Sequence, residues 1–325
     1  MPSLAKLQTL APWLLAAAQT LAAAVEAGHR EVKLIHGIEQ LQALRDQPDG
    51  HYALAGSIDA SATAGWNQGA GFQPIGRDGA PFTGSFDGRG HAIRGLFIHR
   101  PGEDKVGLFG HARNATLRNV RLLGGQVTGG ENVGALVGHL EALEGDARID
   151  LACARVPVNA AGTIGGLVGH NESYRGHSTI SRSHAGGAVR GTGSNVGGLV
   201  GHNEAYAGSA EITQAYASGA VEGRDYVGGL VGYNDALQGT VAITDSHASG
   251  AVQALGEVVG GLVGLDTGGG VAESFHAITD AQGRAINRFA AGAGQGLQWA
   301  LLLQRPAVAA WHDKGGECLN DYVTN

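Results

Sequence analysis

Residues 195–204 read NVGGLVGHNE, and the chain writes nearly the same ten letters twice more, as TIGGLVGHNE at 163–172 and YVGGLVGYND at 226–235. The copies begin 32 and 31 residues apart. A fixed period of this kind has to be settled before any local assignment. The leucine of the motif recurs at Leu108, Leu136, Leu167, Leu199, Leu230 and Leu262, in steps of 28, 31, 32, 31 and 32. A second block keeps the same beat: STISRSHAGGAV from Ser178, EITQAYASGAV from Glu211 and AITDSHASGAV from Ala242. Its apolar markers are Ile149, Ile180, Ile212 and Ile243, followed by the series Val127, Val158, Val189, Val221 and Val252.

Each repeat holds three apolar bursts, VGGLVG, then I-T-x-x-(Y/H)-A, then GAV, separated by glycine or polar turns. None is long enough for a helix and none has a 3.6-residue period. Three short strands per coil of about 31 residues predict an all-β chain, a parallel β-solenoid in which like strands stack ~4.8 Å apart. A propeller blade needs about 40–50 residues and does not fit. The glycines mark corners, where the backbone needs positive φ or a close approach to the next coil. The expected organisation is a lead-in segment at 31–105, a repeat solenoid at 106–270 and a C-terminal cap at 271–325. A cap is needed because an open solenoid end would polymerise.

The N-terminal stretch places Leu7, Leu10, Leu14, Ala17, Leu21 and Ala24 at alternating steps of three and four. That spacing predicts a helix over 1–30 that caps the solenoid or joins copies of the chain through residues 4–25. A cleaved signal peptide is the alternative. With 56 glycines and 8 prolines in 325 residues the chain is biased, yet its apolar residues recur in register, which argues against disorder. The net charge of −7 and the lack of a basic run argue against nucleic acid. No apolar run is long enough for a membrane span. The two cysteines, Cys153 and Cys318, are read as two buried free thiols or one long-range bridge.

Residues one period apart lie side by side in a solenoid, so the polar triplet forms columns. His111, His139, His170, His202 and Tyr233 make one, Asn171, Asn203 and Asn234 a second, and Glu141, Glu172, Glu204 and Asp235 a third. Stacked amides hydrogen-bond along the axis, a structural role. Carboxylates at coil spacing repel, and must splay into solvent or share a cation, for which calcium is the natural choice. The imidazoles could instead take a transition metal. His170, His202, Tyr233, Tyr174 and Tyr206 are the expected ligand face. A further column, Cys153, His184, Tyr216 and His247, has no readable orientation, because the glycine corners reset the alternation. Asp225, Glu222, Arg224 and Asp245 are the acids and base an enzyme would need, but they are scattered over neighbouring turns. FDGRGH at 86–91 reads as a turn capped by Asp87.

The combination VGGLVGxN…GxIxxSYAxGxV resembles the GLUG repeat of bacterial surface and secreted proteins, including adhesins and some IgA-cleaving peptidases. Upstream, 51–76 and FTGSFDGRGHAIRGLFI at 82–98 resemble the segment preceding such repeats in filamentous-haemagglutinin-type exoproteins. The resemblance spans roughly residues 32–270 and implies a secreted or cell-surface β-solenoid. The peptidases' HExxH signature is missing, and HNESYRGH at 170–177 has the wrong spacing. The expectation is therefore a non-catalytic, adhesin-like protein presenting a rigid face to a glycan or protein. The alternatives are a virion tail or receptor-binding component, and a glycan-cleaving solenoid enzyme.

Overall fold

The computed structural model describes residues 31–287, 293–305 and 308. The helix expected over 1–30, the self-association through 4–25, Cys318 and most of the segment after 305 lie outside the described residues.

The apolar markers all turn inward. Leu108, Leu167, Leu199, Leu230 and Leu262 are fully buried, as are Ile149, Ile180, Ile212 and Ile243, and one continuous core cluster joins them along the axis. One coil shows how the sequence draws its path: Ser194–Gly197, Val200–Ala205, Ser209–Thr213, Tyr216–Ala217 and Val221–Gly223. Each strand pairs in parallel with its equivalent one coil on, for example Val200 with Val231 and Ile212 with Ile243. The strands stack into sheets of nine, six, thirteen and five members. The parallel solenoid of about 31-residue coils is therefore what the chain forms.

The three expected bursts are present, but two of them bend, so a coil carries five short strands. In the second burst the bend is a residue in the left-handed region: Leu151, Arg182, Gln214 and Asp245 have φ between 47° and 54°. In the first burst the bend is Gly198, where a Cβ would stand 2.1 Å from the carbonyl oxygen of Gly229 in the next coil. Glycine is required at that corner by the close approach of two coils.

The two ends differ. Near the N-terminus the core is wide and filled by Phe72, Phe82, Phe86 and Phe109, with Phe82 and Phe109 ring centroids 4.8 Å apart. A short helix that the sequence reading did not anticipate, Ile38–Gln42, buries Ile38 and Leu41 in that end of the core. The Gln42 amide anchors it by donating to the Gln73 carbonyl at 2.8 Å. At the other end Phe275–Ala277 pairs with Gln295–Leu297, and Phe275, Leu297 and Leu302 form a separate small cluster.

Candidate functional site

The sheet that carries the polar columns is built from Phe109–Arg113, Val137–Ala142, Val168–Ser173, Val200–Ala205, Val231–Ala236 and Val263–Asp266. Val200 packs in the core, and Gly201 then passes hard against the backbone of Gly169 and Ile164. Side-chain alternation restarts after that point. Asn203 and Ala205 turn into the coil and are fully buried, while His202 and Glu204 turn outward and remain partly exposed.

Inside, the amides form the expected ladder. Asn171 Nδ2 donates to Asn203 Oδ1 at 2.7 Å, Asn203 to Asn234 at 2.8 Å, and Asn234 to Asp266 Oδ1 at 2.9 Å. Asp266, at the end of the row, has no amide hydrogens to satisfy and closes it.

Outside, the imidazoles stack ring on ring. Successive centroids from His111 through His139, His170 and His202 to Tyr233 are 4.8, 4.9, 4.6 and 4.9 Å apart, all within 12° of parallel. Each histidine then reaches diagonally to the acid of the following coil. The Nε2 atoms of His111, His139, His170 and His202 lie 2.8, 2.8, 3.0 and 2.6 Å from Glu141, Glu172, Glu204 and Asp235. The acids of this column are thus held by the imidazoles rather than splayed into solvent. The reason is a lateral offset that column counting does not capture: His and acid sit two residues apart on adjacent strands, close enough for a direct hydrogen bond.

The charges follow. Burial within the stack pushes His170 down to about 4, against the pull of Glu204. The hydrogen bond from His139 holds Glu172 down at about 2, and that from His170 lowers Glu204. Burial pushes Glu141 upward, but Arg113 and His111 together overcome it and lower its carboxyl. Burial also lowers His111. At neutral pH His170 is a neutral imidazole donating from Nε2 to the ionised carboxylate of Glu204. Arg113, which stands at the acidic column's position one coil before Glu141, and Asp78 finish the first rung: Arg113 Nε donates to Glu141 at 2.7 Å, and Asp78 lies 3.2 Å from His111 Nδ1.

A scan against family models matches the description "The GLUG motif" to residues 192–222, one complete coil. The chain carries the GLUG motif. Halomucin of Haloquadratum walsbyi is 45% identical over 113 residues, 32% of this chain and 1% of that protein. A candidate Gly-rich membrane protein of Evansella cellulosilytica is 38% identical over 91 residues, 28% of this chain and 10% of that one. The chain therefore spans only a small part of these relatives. Among solved structures, a candidate immunoglobulin A1 protease from Bacteroides ovatus superposes with a TM-score of 0.60 at 19% identity, covering 86% of this chain and 87% of that one. That likeness is one of fold.

Within the GLUG coil, the motif's glycines and apolar pair build the corner, its Asn builds the inner ladder, and its His and Glu build the outer one. His139, His170 and Glu172 bring ligand atoms within 4.8 Å of one another, as do His170, His202 and Glu204. Rings stacked face to face send their nitrogen lone pairs out in parallel rather than toward one point, whereas a metal with nitrogen bonds near 2.0–2.1 Å needs them convergent.

The expected ligand face separates into two columns. His170, His202 and Tyr233 share the outer stack. Tyr174 and Tyr206 lie on the adjoining turns, stacked on each other at 5.0 Å with the Arg175 guanidinium 5.2 Å from the Tyr174 ring. Their mutual stacking closes one face of each ring to a ligand. The column His184, Tyr216 and His247 is also stacked, at 3.9 and 4.9 Å, and buried. It points away from the axis, since the alternate residues Ala185, Ala217 and Ala248 are the ones in the core. Cys153 stands in the same outward column and is disulfide-bonded, which replaces the free-thiol reading. The scattered acids of the enzyme reading stay apart: Glu222 pairs with Arg190 at 3.1 Å, Asp225 with Arg224 at 3.5 Å, and Asp245 is a left-handed turn residue. Asp87 accepts from the backbone N–H of Arg89 at 2.8 Å, the turn role expected of FDGRGH.

Proposed function

We propose that this chain is a non-catalytic, surface-exposed or secreted module whose rigid solenoid faces bind a glycan or protein partner. The observation that carries this reading is the outer ladder. Four imidazoles and four carboxylates that could have served catalysis are spent on one another, rung by rung. A catalytic acid or base needs a free proton site beside the substrate, whereas these groups rigidify the face. The names of the relatives, a halomucin and a membrane protein, favour the cell surface. An oxidised Cys153 suits an oxidising compartment. Among the described residues no helix is long and apolar enough to cross a membrane.

Two measurements test the reading. Protease shaving and antibody labelling of intact source cells should release and stain the protein, and protection of all of it inside the cell would contradict surface exposure. Incubation with arrayed glycans and with immunoglobulin A1, followed by mass spectrometry, should yield bound but unaltered ligand. Any cleaved product would overturn the non-catalytic assignment.

A further inference from the structure

A different face of the solenoid carries an open groove of about 590 Å³. It runs along the axis, where the GAV strands turn into the next corner. Three neighbouring columns shape it. The outer column, Thr128, Asn159, Arg190, Glu222 and Gln253, is held in register from coil to coil. The middle column contains Gly129, Gly191 and Gly223, and a Cβ added to any of these would point into the core against Val133, Ile164 or Val196. That column therefore offers only main chain as a floor. Ala161, Thr192 and Leu255 rise on the far side, and Leu255 is 92% exposed, the most exposed large apolar side chain described.

We infer that this groove is a binding site for a linear, uncharged polysaccharide chain. The inference rests on the proposed binding role and assigns that role a place and a ligand class. Three features specify the ligand. The volume falls in the range of small-ligand sites, which is about 300–1,000 Å³. The outer column sets an amide or hydroxyl on three of its five rungs, through Thr128, Asn159 and Gln253, and Thr192 adds a hydroxyl from the far side. Such groups both donate and accept, as sugar hydroxyls do. The groove's one cation and one anion, Arg190 and Glu222, pair with each other at 3.1 Å, so the groove has no net charge to offer a charged polymer. Finally, the rungs repeat at about 4.8 Å, and an extended hexopyranose chain advances by nearly the same step per unit. Each sugar would meet one rung, that of Thr128, Asn159, Arg190, Glu222 or Gln253. An extended peptide, at about 3.3 Å per residue, would drift out of register within two coils.

The test uses the full chain and linear glucan and mannan oligosaccharides from dimer to octamer, with affinity read by calorimetry. Affinity should climb with each added unit up to about the pentamer, one unit for each of the five rungs, and then level off. Ala161→Trp places a bulky ring across the groove at an exposed position, so it should fold as the parent does and weaken pentamer binding at least tenfold. Tyr206→Ala, on the other face, should leave binding unchanged. If Tyr206→Ala abolishes binding and Ala161→Trp does not, the groove is the wrong site, while the binding role stands. If no neutral oligosaccharide binds, the ligand assignment is overturned, and surface shaving still decides the wider role separately. Cleavage of a bound oligosaccharide would leave the groove in place and overturn the non-catalytic reading.

Discussion

Glycine and left-handed residues divide the corner work in this chain, and substitutions can tell them apart. Gly198 is needed for space: its missing Cβ would overlap a backbone oxygen that belongs to the adjoining coil and has nowhere to go. Gly198→Ala should therefore lower stability by about 3 kcal/mol, the upper part of the overpacking range, read as a fall in urea midpoint at constant slope. Gln214 is the opposite case. It is an exposed residue held at φ 50°, where an L-residue is strained by about 1–2 kcal/mol. Gln214→Gly relieves that strain at a smaller entropic cost, and should raise stability by about 0.5–1 kcal/mol in the same assay. An unchanged or lowered midpoint would show that the turn carries no strain. The sequence marked the Gly198 corner, because glycine repeats there. It could not mark the second corner, where Asn119, Leu151, Arg182, Gln214 and Asp245 share a conformation and no chemistry.

At the scale of the strand, the outer ladder ties the stability of the solenoid to pH. His170 sits between the rings of His139 and His202, with the carboxylates of Glu204 and Glu172 beside it. Its pKa falls from 6.5 to about 4 on folding, so between those values the unfolded chain binds a proton that the folded chain refuses. Stability then rises with pH, and is lost as pH falls from about 6.5 to 4, by up to roughly 3 kcal/mol for this residue. Glu172, lowered from 4.5 to about 2, extends the loss below pH 4.5. Melting temperature should therefore drop steadily between pH 7 and pH 4. His170→Tyr keeps a ring in a column that already accommodates Tyr233, and should flatten the first part of that drop. A drop that is identical in the variant would place the titrating group elsewhere. Both members of each pair were legible in the sequence as columns. Their diagonal pairing was not, since it depends on a lateral offset between strands that a period cannot encode. The short helix Ile38–Gln42 was hidden for a related reason: five residues are too few to show a helical period.

For the molecule as a whole, the regular columns mean that each coil is stabilised mainly by its two neighbours, so coils should be removable as units. Ser194 and Asp225 occupy equivalent places in successive coils. Deleting residues 194–224 joins Gly193 to Asp225 and leaves the Leu, Asn and His columns continuous, with His170 facing Tyr233 and Asn171 facing Asn234. The shortened chain should fold, lose about 4.8 Å of length by small-angle scattering, and melt only slightly below the parent. Deleting residues 194–208 instead removes about half a coil, and should not fold. It would set the strand Ser209–Thr213 where Ser194–Gly197 is needed, and put Glu211 at the place of the fully buried Val196. If the two deletions behave alike, stability would lie in the ends rather than in the repeating contacts. The Phe-filled N-terminal core makes that a real alternative, since Phe72, Phe82, Phe86 and Phe109 are among the largest fully buried side chains. Shortening should also bear on the groove, because 194–224 contributes the Glu222 rung. A four-rung groove should level off about one sugar unit earlier than the parent, which ties the length of the fold directly to the length of the ligand it reads.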